Sequence, residues 1–117
     1  MLGQNNKKIK HIVNVTSETS FKGAVVPYGL SKWGITGLTK GMGKTLAAKG
    51  IIVNGVAPGI MATDLVGWNK DEISVDYHPN KRVGYPNEVA SLVTYLASDL
   101  ANNMIGQVIS TDGGSCL

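Results

Sequence analysis

The sequence predicts an α/β fold in which the strands of a parallel sheet alternate with helices. Short runs rich in Val and Ile recur at 11–16, 51–57 and 106–111. Between them, the stretches 28–48 and 87–98 repeat apolar residues at helical spacing, and each apolar run ends in small polar or turn-forming residues. Strands joined through helices need crossover connections, which makes the sheet parallel and each crossover right-handed by expectation.

Residues 11–16 form a continuous apolar run, expected as a strand buried on both faces, and the polar residues after Thr16 make a loop. Pro27 then opens a helix, because its missing N–H has no partner in the first turn. Along 28–48 the apolar Ile35, Leu38, Met42 and Leu46 recur at helical spacing, until Gly50 stops the helix. Gly34, Gly37 and Gly41 lie on a neighbouring stripe, where they lower helix propensity and suggest the close approach of another backbone.

Residues 51–57 are a second buried strand, closed by Pro58-Gly59. The stretch 63–85, with Trp68 and Pro79, is polar and irregular and is expected to be a mobile excursion. Val89, Leu92, Val93 and Leu96 then mark a short amphipathic helix over 87–98. The last strand, 106–111, ends at Asp112-Gly113-Gly114. Ligands of parallel sheets gather at the carboxyl ends of strands, here Thr16-Ser17, Pro58-Gly59-Ile60 and Asp112-Gly113-Gly114.

With 117 residues, 43% of them apolar and 16% charged, the chain fits one globular domain. The net charge is +3, and the basic cluster Lys7, Lys8 and Lys10 has no interleaved aromatics, so it is expected as a solvated end rather than a nucleic-acid surface. Cys116 is the one cysteine, which excludes an intrachain disulfide and a cysteine-based zinc site and fits a reducing, cytoplasmic setting. The N-terminus lacks a signal-peptide pattern, and no apolar run reaches membrane-spanning length, so no membrane association is expected. Asn14-Val15-Thr16 matches a glycosylation sequon inside a strand pattern, where it has no use.

Gly43-Lys44-Thr45 ends like a phosphate-binding loop, yet it sits in a helical pattern and Leu38 occupies the place of its first glycine. Gly41-x-Gly43 fails as a dinucleotide turn because Leu46 holds the third position. His11 and His78 lack metal-ligand spacing, so no metal site is expected, and Trp33 and Trp68 are read as packing residues.

Tyr28 and Lys32 are four residues apart at the start of a helix, on one face, with Ser17 across the preceding loop. Carbonyl reduction needs a proton donor at oxygen while hydride reaches carbon. A phenol ordinarily titrates near ~10 and needs a neighbouring positive charge to serve near neutrality. Lys32 would supply that charge, the helix N-terminus would add to it, and a serine hydroxyl could hold the carbonyl oxygen. Taken alone, Tyr-x-x-x-Lys also describes an ordinary exposed helix face.

Five segments change the weight of that pattern: VNVTS, PYGLSKWGITGLTK, GIIVNGVAPGIMATDL, RVGYPNEVASLVTYLAS and GQVISTDGG. Read in order, they closely resemble the C-terminal half of a short-chain dehydrogenase/reductase, over nearly all of 11–115. The resemblance implies a Rossmann-type parallel sheet, three of whose strands are present, and NAD- or NADP-linked interconversion of an alcohol and a carbonyl. It further implies that Tyr28 is the catalytic acid/base, that Lys32 lowers its pKa and binds the nicotinamide ribose, and that Ser17 orients the substrate oxygen. Pro58, Gly59, Ile60 and Thr63 match the segment that receives the nicotinamide carboxamide, Ile60 through its backbone.

Tyr28 follows Ser17 by eleven residues, a shorter loop than is usual in that family, so Thr16 and Ser20 are alternative sources of the hydroxyl. The family's glycine-rich turn, its adenine-ribose selector and the Asn of its proton relay would all precede Met1. The chain is therefore expected to be a single partial domain, 1–117, lacking the cofactor half and carrying a substrate loop over 64–85. Leu65, Val66, Trp68 and Tyr77 in that loop suggest a partly apolar small-molecule substrate. Two functions are expected of such a chain: the catalytic half of an oxidoreductase, or a non-catalytic fragment that acts only in folding and assembly. An unpaired edge on the first strand, together with the glycine-striped helix that contributes to subunit contacts in the family, predicts a homo-oligomer or pairing with the missing N-terminal half.

Overall fold

Residues 8–64, 67–69 and 71–117 are described by the structure, a computed structural model. Its centre is β2, Ile51–Pro58, in which every residue from Ile52 to Ala57 is buried. A strand covered on both faces reads as an unbroken apolar run, as IIVNGVAP nearly does. β1, Lys10–Val15, and β3, Val108–Thr111, flank it, both parallel, in the order β1-β2-β3. Asn14 pairs with Gly55 and Gly55 with Val108, so one register line crosses the sheet. Helix α1, Pro27–Leu46, connects the first two strands, and α2, Pro86–Leu96, precedes β3. This is a Rossmann-like α/β arrangement.

The helices cover opposite faces of the sheet. A Cβ on Gly55 would lie 3.5 Å from the Thr39 methyl of α1 and 3.2 Å from Val108, which puts α1 on that face. The next residue along each strand points the other way. There Val56 packs with Leu96 of α2 and Ala101, and Val13 and Ile109 join them. Both connections step in the same direction across the sheet, so helices on opposite faces give crossovers of opposite hand, correcting the expectation that each is right-handed. The right-handed rule reflects a twisted strand feeding directly into its helix. Between β2 and α2 the chain instead runs through an irregular stretch carrying the bridges Met61↔Gly84 and Ser74↔Arg82.

The fully buried residues of α1 are small ones. Gly29, Thr36, Thr39 and Gly43 are buried, whereas Leu38 is 55% exposed. The reason lies in the sheet, which offers Gly55 and the amide of Asn14 to the helix. Asn14 Nδ2 donates to Thr39 Oγ1 at 2.9 Å, and Thr39 Oγ1 donates to the Ile35 carbonyl at 2.8 Å. That partly polar sheet surface takes small residues, and of the apolar stripe Leu38 is exposed while Ile35, Met42 and Leu46 are half-buried. Gly37, Leu38, Gly41, Met42, Thr45 and Leu46 line a shallow outer cleft. The close backbone approach expected of Gly34, Gly37 and Gly41 occurs instead at Gly43, where a Cβ would lie 2.8 Å from Gly106 Cα.

β1 departs from its expected burial on both faces. Ile12 and Val15 are 36% and 52% exposed, since among the described residues β1 pairs with β2 alone. The stretch 87–98 holds as predicted: Val89, Leu92, Val93 and Leu96 pack on the core, with the helix starting one residue earlier, at Pro86. Glu88 fastens that start by accepting from the Tyr85 N–H at 2.8 Å and from both terminal nitrogens of Arg82 at 3.0 and 2.6 Å. His11 and His78 serve structural bonds, His11 Nε2 with Asn102 Oδ1 at 3.0 Å and His78 Nδ1 with the Arg82 carbonyl at 2.9 Å. Lys7 of the basic cluster lies outside the described residues, and Lys8 and Lys10 are exposed.

Gly41 and Gly43 should respond to alanine with opposite signs. Gly41→Ala, with nothing within 4 Å of the new methyl, gains roughly 0.5–1 kcal/mol in urea unfolding. Gly43→Ala, driven into Gly106, loses about 1–3 kcal/mol. Equal effects would contradict the helix orientation. The hydrogen bond from Arg82, then the Tyr85 N–H, lowers the Glu88 carboxyl from 4.5 to about 2. A depressed carboxyl stabilises the fold above its unfolded value, and that contribution fades as pH falls from 4.5 towards about 2. The urea midpoints of the native chain and Glu88→Gln should therefore differ at pH 6 and converge near pH 2.

Candidate active site

At the carboxyl end of β1 the chain turns into a short 3-10 segment, Glu18–Phe21, with Ser17 as its N-cap. Ser17 Oγ accepts from the Thr19 N–H at 3.3 Å, and the Ser17 carbonyl accepts from the Ser20 N–H at 2.9 Å. Three neighbouring hydroxyls differ in what they do with their protons. Thr16 Oγ1 donates to the Val56 carbonyl at 3.2 Å, and Ser20 Oγ donates to the Ser17 carbonyl at 2.8 Å. Ser17 Oγ is engaged as an acceptor, which leaves its own hydrogen for a further partner. Thr16 and Ser20 are thus committed to the backbone.

Tyr28 is the second residue of α1, directly after Pro27, and is 58% exposed. Lys32, one turn along the same face, places Nζ 5.5 Å from the Tyr28 ring centroid. Ser17 and Tyr28 line a common cavity of about 320 Å³ with Gly59, Ile60, Met61 and Thr63. Pro58 ends β2 just before this wall. Gly59 is required there, because a Cβ would fall 2.9 Å from Asp112 Cα, and its N–H prolongs the β2–β3 ladder to the Thr111 carbonyl at 3.1 Å. The arrangement offers a hydroxyl donor and a phenol facing one space, with an ammonium behind the phenol.

The cavity also contains residues that spacing did not single out: Glu18, Thr19 and Met61. Glu18 is the charged member of the lining, and its Oε1 lies 3.5 Å from Lys22 Nζ. Position beside Ser17 was the available signal for Glu18 and Thr19. Met61 was hidden, since it reaches the wall by bridging to Gly84. Two of the expected apolar pocket residues are elsewhere: Trp68 Nε1 donates to the Glu72 carbonyl at 3.0 Å, and Tyr77 stands edge-on to His78 at 4.9 Å. Leu65 and Val66 lie outside the described residues. Trp33, read as packing, is 47% exposed and donates to the Lys22 carbonyl at 2.7 Å. Among the described residues no helix is long and apolar enough to cross a membrane.

Comparison with known proteins places this geometry in a family. A family model described as enoyl-(acyl carrier protein) reductase matches residues 2–116. The chain is 42% identical over 108 residues to the 3-oxoacyl-(acyl-carrier-protein) reductase FabG of Aquifex aeolicus (strain VF5), covering 88% of this chain and 44% of that protein. A solved short chain dehydrogenase family protein from Francisella tularensis superposes with a TM-score of 0.80 at 35% identity, over 96% of this chain and 53% of the other. An Agrobacterium tumefaciens dehydrogenase, solved with bound NADP, has a TM-score of 0.80 at 32% identity, over 97% of this chain and 49% of its own. The chain thus spans about half the length of the relatives it matches.

Substitutions at the Ser17 turn should separate its hydroxyls. Ser17→Ala removes the cap to Thr19 and costs about 0.5–2 kcal/mol in urea unfolding, while Ser17→Gly costs only a few tenths. Equal losses for the two would contradict the capping geometry. With the sheet, the Tyr28–Lys32 pair and the sequence and structural matches in agreement, the chain belongs to the short-chain dehydrogenase/reductase family.

Proposed function

We propose that this chain is the catalytic part of an NAD- or NADP-dependent oxidoreductase that interconverts a small-molecule alcohol and its carbonyl. The observation that carries the proposal is the meeting of Ser17 and Tyr28 on one cavity wall with Lys32 Nζ 5.5 Å from the Tyr28 ring. In the reducing direction Ser17 Oγ–H donates a hydrogen bond to the carbonyl oxygen and fixes its position, keeping its own proton. Tyr28 delivers the proton to that oxygen as charge develops on it. Lys32 stabilises the tyrosinate left behind, and its ammonium is a donor for the nicotinamide ribose. In oxidation the same groups act in reverse.

The donor set fits a nicotinamide. Gly59 brings bare backbone to the cavity, Ile60 offers main-chain polar groups and Thr63 a hydroxyl, and with Pro58 they would receive the carboxamide. When bound, the dinucleotide supplies or accepts the hydride. The Aquifex relative is named for a 3-oxoacyl substrate, which makes a 3-oxoacyl thioester the first substrate class to assay.

A second reading is favoured by specific surfaces. Ile12 and Val15 are exposed on an edge strand, and Leu38 of α1 is exposed beside a shallow outer cleft. These faces support an assembling module, a homo-oligomer or a partner for a cofactor-binding half, whose own surface does not turn over substrate. Sedimentation as a monomer at high concentration would count against assembly.

Turnover separates the readings. With acetoacetyl thioester and NADH or NADPH, the native chain should oxidise the cofactor, and Tyr28→Phe should lower kcat by about 10²-fold or more while cofactor binding is retained. Undiminished turnover in Tyr28→Phe would remove the phenol from the acid/base role. Absence of turnover in the native chain would favour the assembling module.

A further inference from the structure

We infer that residues 112–116 form a clamp on Glu18, and that Glu18 is the positioning residue through which the carboxyl terminus fixes Ser17. The inference rests on the catalytic reading of Ser17 given above. Ser17 caps a 3-10 segment of one turn, hung from an edge strand, and such a segment has little intrinsic rigidity. A hydroxyl that must meet a substrate oxygen needs a firmer support. Glu18, the next residue, receives it from the far end of the chain.

Ser115 Oγ donates to Glu18 Oε2, and Cys116 Sγ donates to the Glu18 carbonyl at 3.4 Å. Side chain and main chain of the same residue are therefore held at once, with Lys22 Nζ on the other carboxylate oxygen. The Glu18 side chain is 12% exposed, so these partners also replace the water it has lost. Burial, then a hydrogen bond to the Asp112 carboxylate, pushes the Cys116 thiol upward, so its one S–H is shared between that carboxylate and the Glu18 carbonyl.

The clamp is itself well fixed. Asp112 Oδ1 accepts from the Gly114 N–H at 3.0 Å, Asp112 Oδ2 from the Cys116 N–H at 3.2 Å, and the Asp112 carbonyl from the Ser115 N–H at 3.2 Å. Gly113 and Gly114 take φ of 64° and 86°, the left-handed region that lets the chain close so tightly. β2 leans on the same group: a Cβ at Gly59 would lie 3.0 Å from Glu18 Oε2 and 2.9 Å from Asp112 Cβ. One acidic side chain thus meets the ends of all three strands. A change at residue 115 should therefore be felt at residue 17.

Amide hydrogen exchange on the full chain tests this without requiring turnover. In Ser115→Ala and in Glu18→Ala the amides of Thr19 and Ser20, which bond to Ser17, should exchange about 10-fold faster or more, while those of Gly55 and Ala97 keep their rates. Ser115→Thr, which retains a hydroxyl, and Glu18→Gln, which retains an acceptor, should restore the slow rates. Unchanged exchange at Thr19 and Ser20, or equal acceleration at Gly55 and Ala97, would overturn the clamp. In a preparation that turns over, Ser115→Ala should lower kcat with the cofactor KM unmoved and Ser115→Thr should recover it; an unaltered kcat would overturn the positioning role. A native chain that never turns over defeats the catalytic reading and with it Glu18's positioning role, and the exchange rates still decide the clamp.

Discussion

Burial of β2 on both faces is the constraint from which the rest follows. Val53, Val56 and Ala57 have no exposed surface, so something must cover each side. The α1 side is nearly flat because Gly55 lies there, and the helix that meets it carries Thr39 and Gly43 inward. The other side offers Val56, and α2 answers with Leu96. Asn54, buried in the same strand, is tolerable because both ends of its amide are bonded: Nδ2 donates to the Met104 carbonyl at 2.7 Å and Oδ1 accepts from the Gln107 N–H at 3.0 Å. Those two bonds also set where β3 begins.

Once the strands are fixed in parallel, their carboxyl ends are fixed together, and the cavity lined by Ser17 and Tyr28 lies there. The turn after β1 presents Ser17, the turn after β2 presents Gly59 and Ile60, and the start of α1 presents Tyr28. Ser17 is a cap, Tyr28 follows a proline that starts the helix, and Gly59 is pinned between Thr111 and Asp112. A hydroxyl that accepts locally and keeps its hydrogen free is a direct product of that capping geometry.

Much of this was legible from sequence because it depends on short spacings. Tyr28 and Lys32 are one helical turn apart, and Val89, Leu92, Val93 and Leu96 follow a helical period on a core-facing surface. What was not legible depends on the partner surface. The apolar spacing of Ile35, Leu38, Met42 and Leu46 runs along a flank of α1 on which Leu38 is exposed and the others half-buried, because the sheet presents Gly55 and Asn14 to the face that carries Thr39. Burial of β1 was overestimated for a related reason: composition records apolar residues, not which neighbours are present to cover them. The opposite hands of the two crossovers, the entry of Met61 into the cavity, and the contact of Glu18 with Ser115 and Cys116 all join residues distant in sequence, which no local period reports.

On the function proposed above, this chain holds a nicotinamide where it would meet a carbonyl. Fluorescence titration of NADH and NADPH against the purified chain addresses it most directly. Saturable binding that weakens in Lys32→Ala and Thr63→Ala is expected. Absence of saturation up to millimolar cofactor would contradict it.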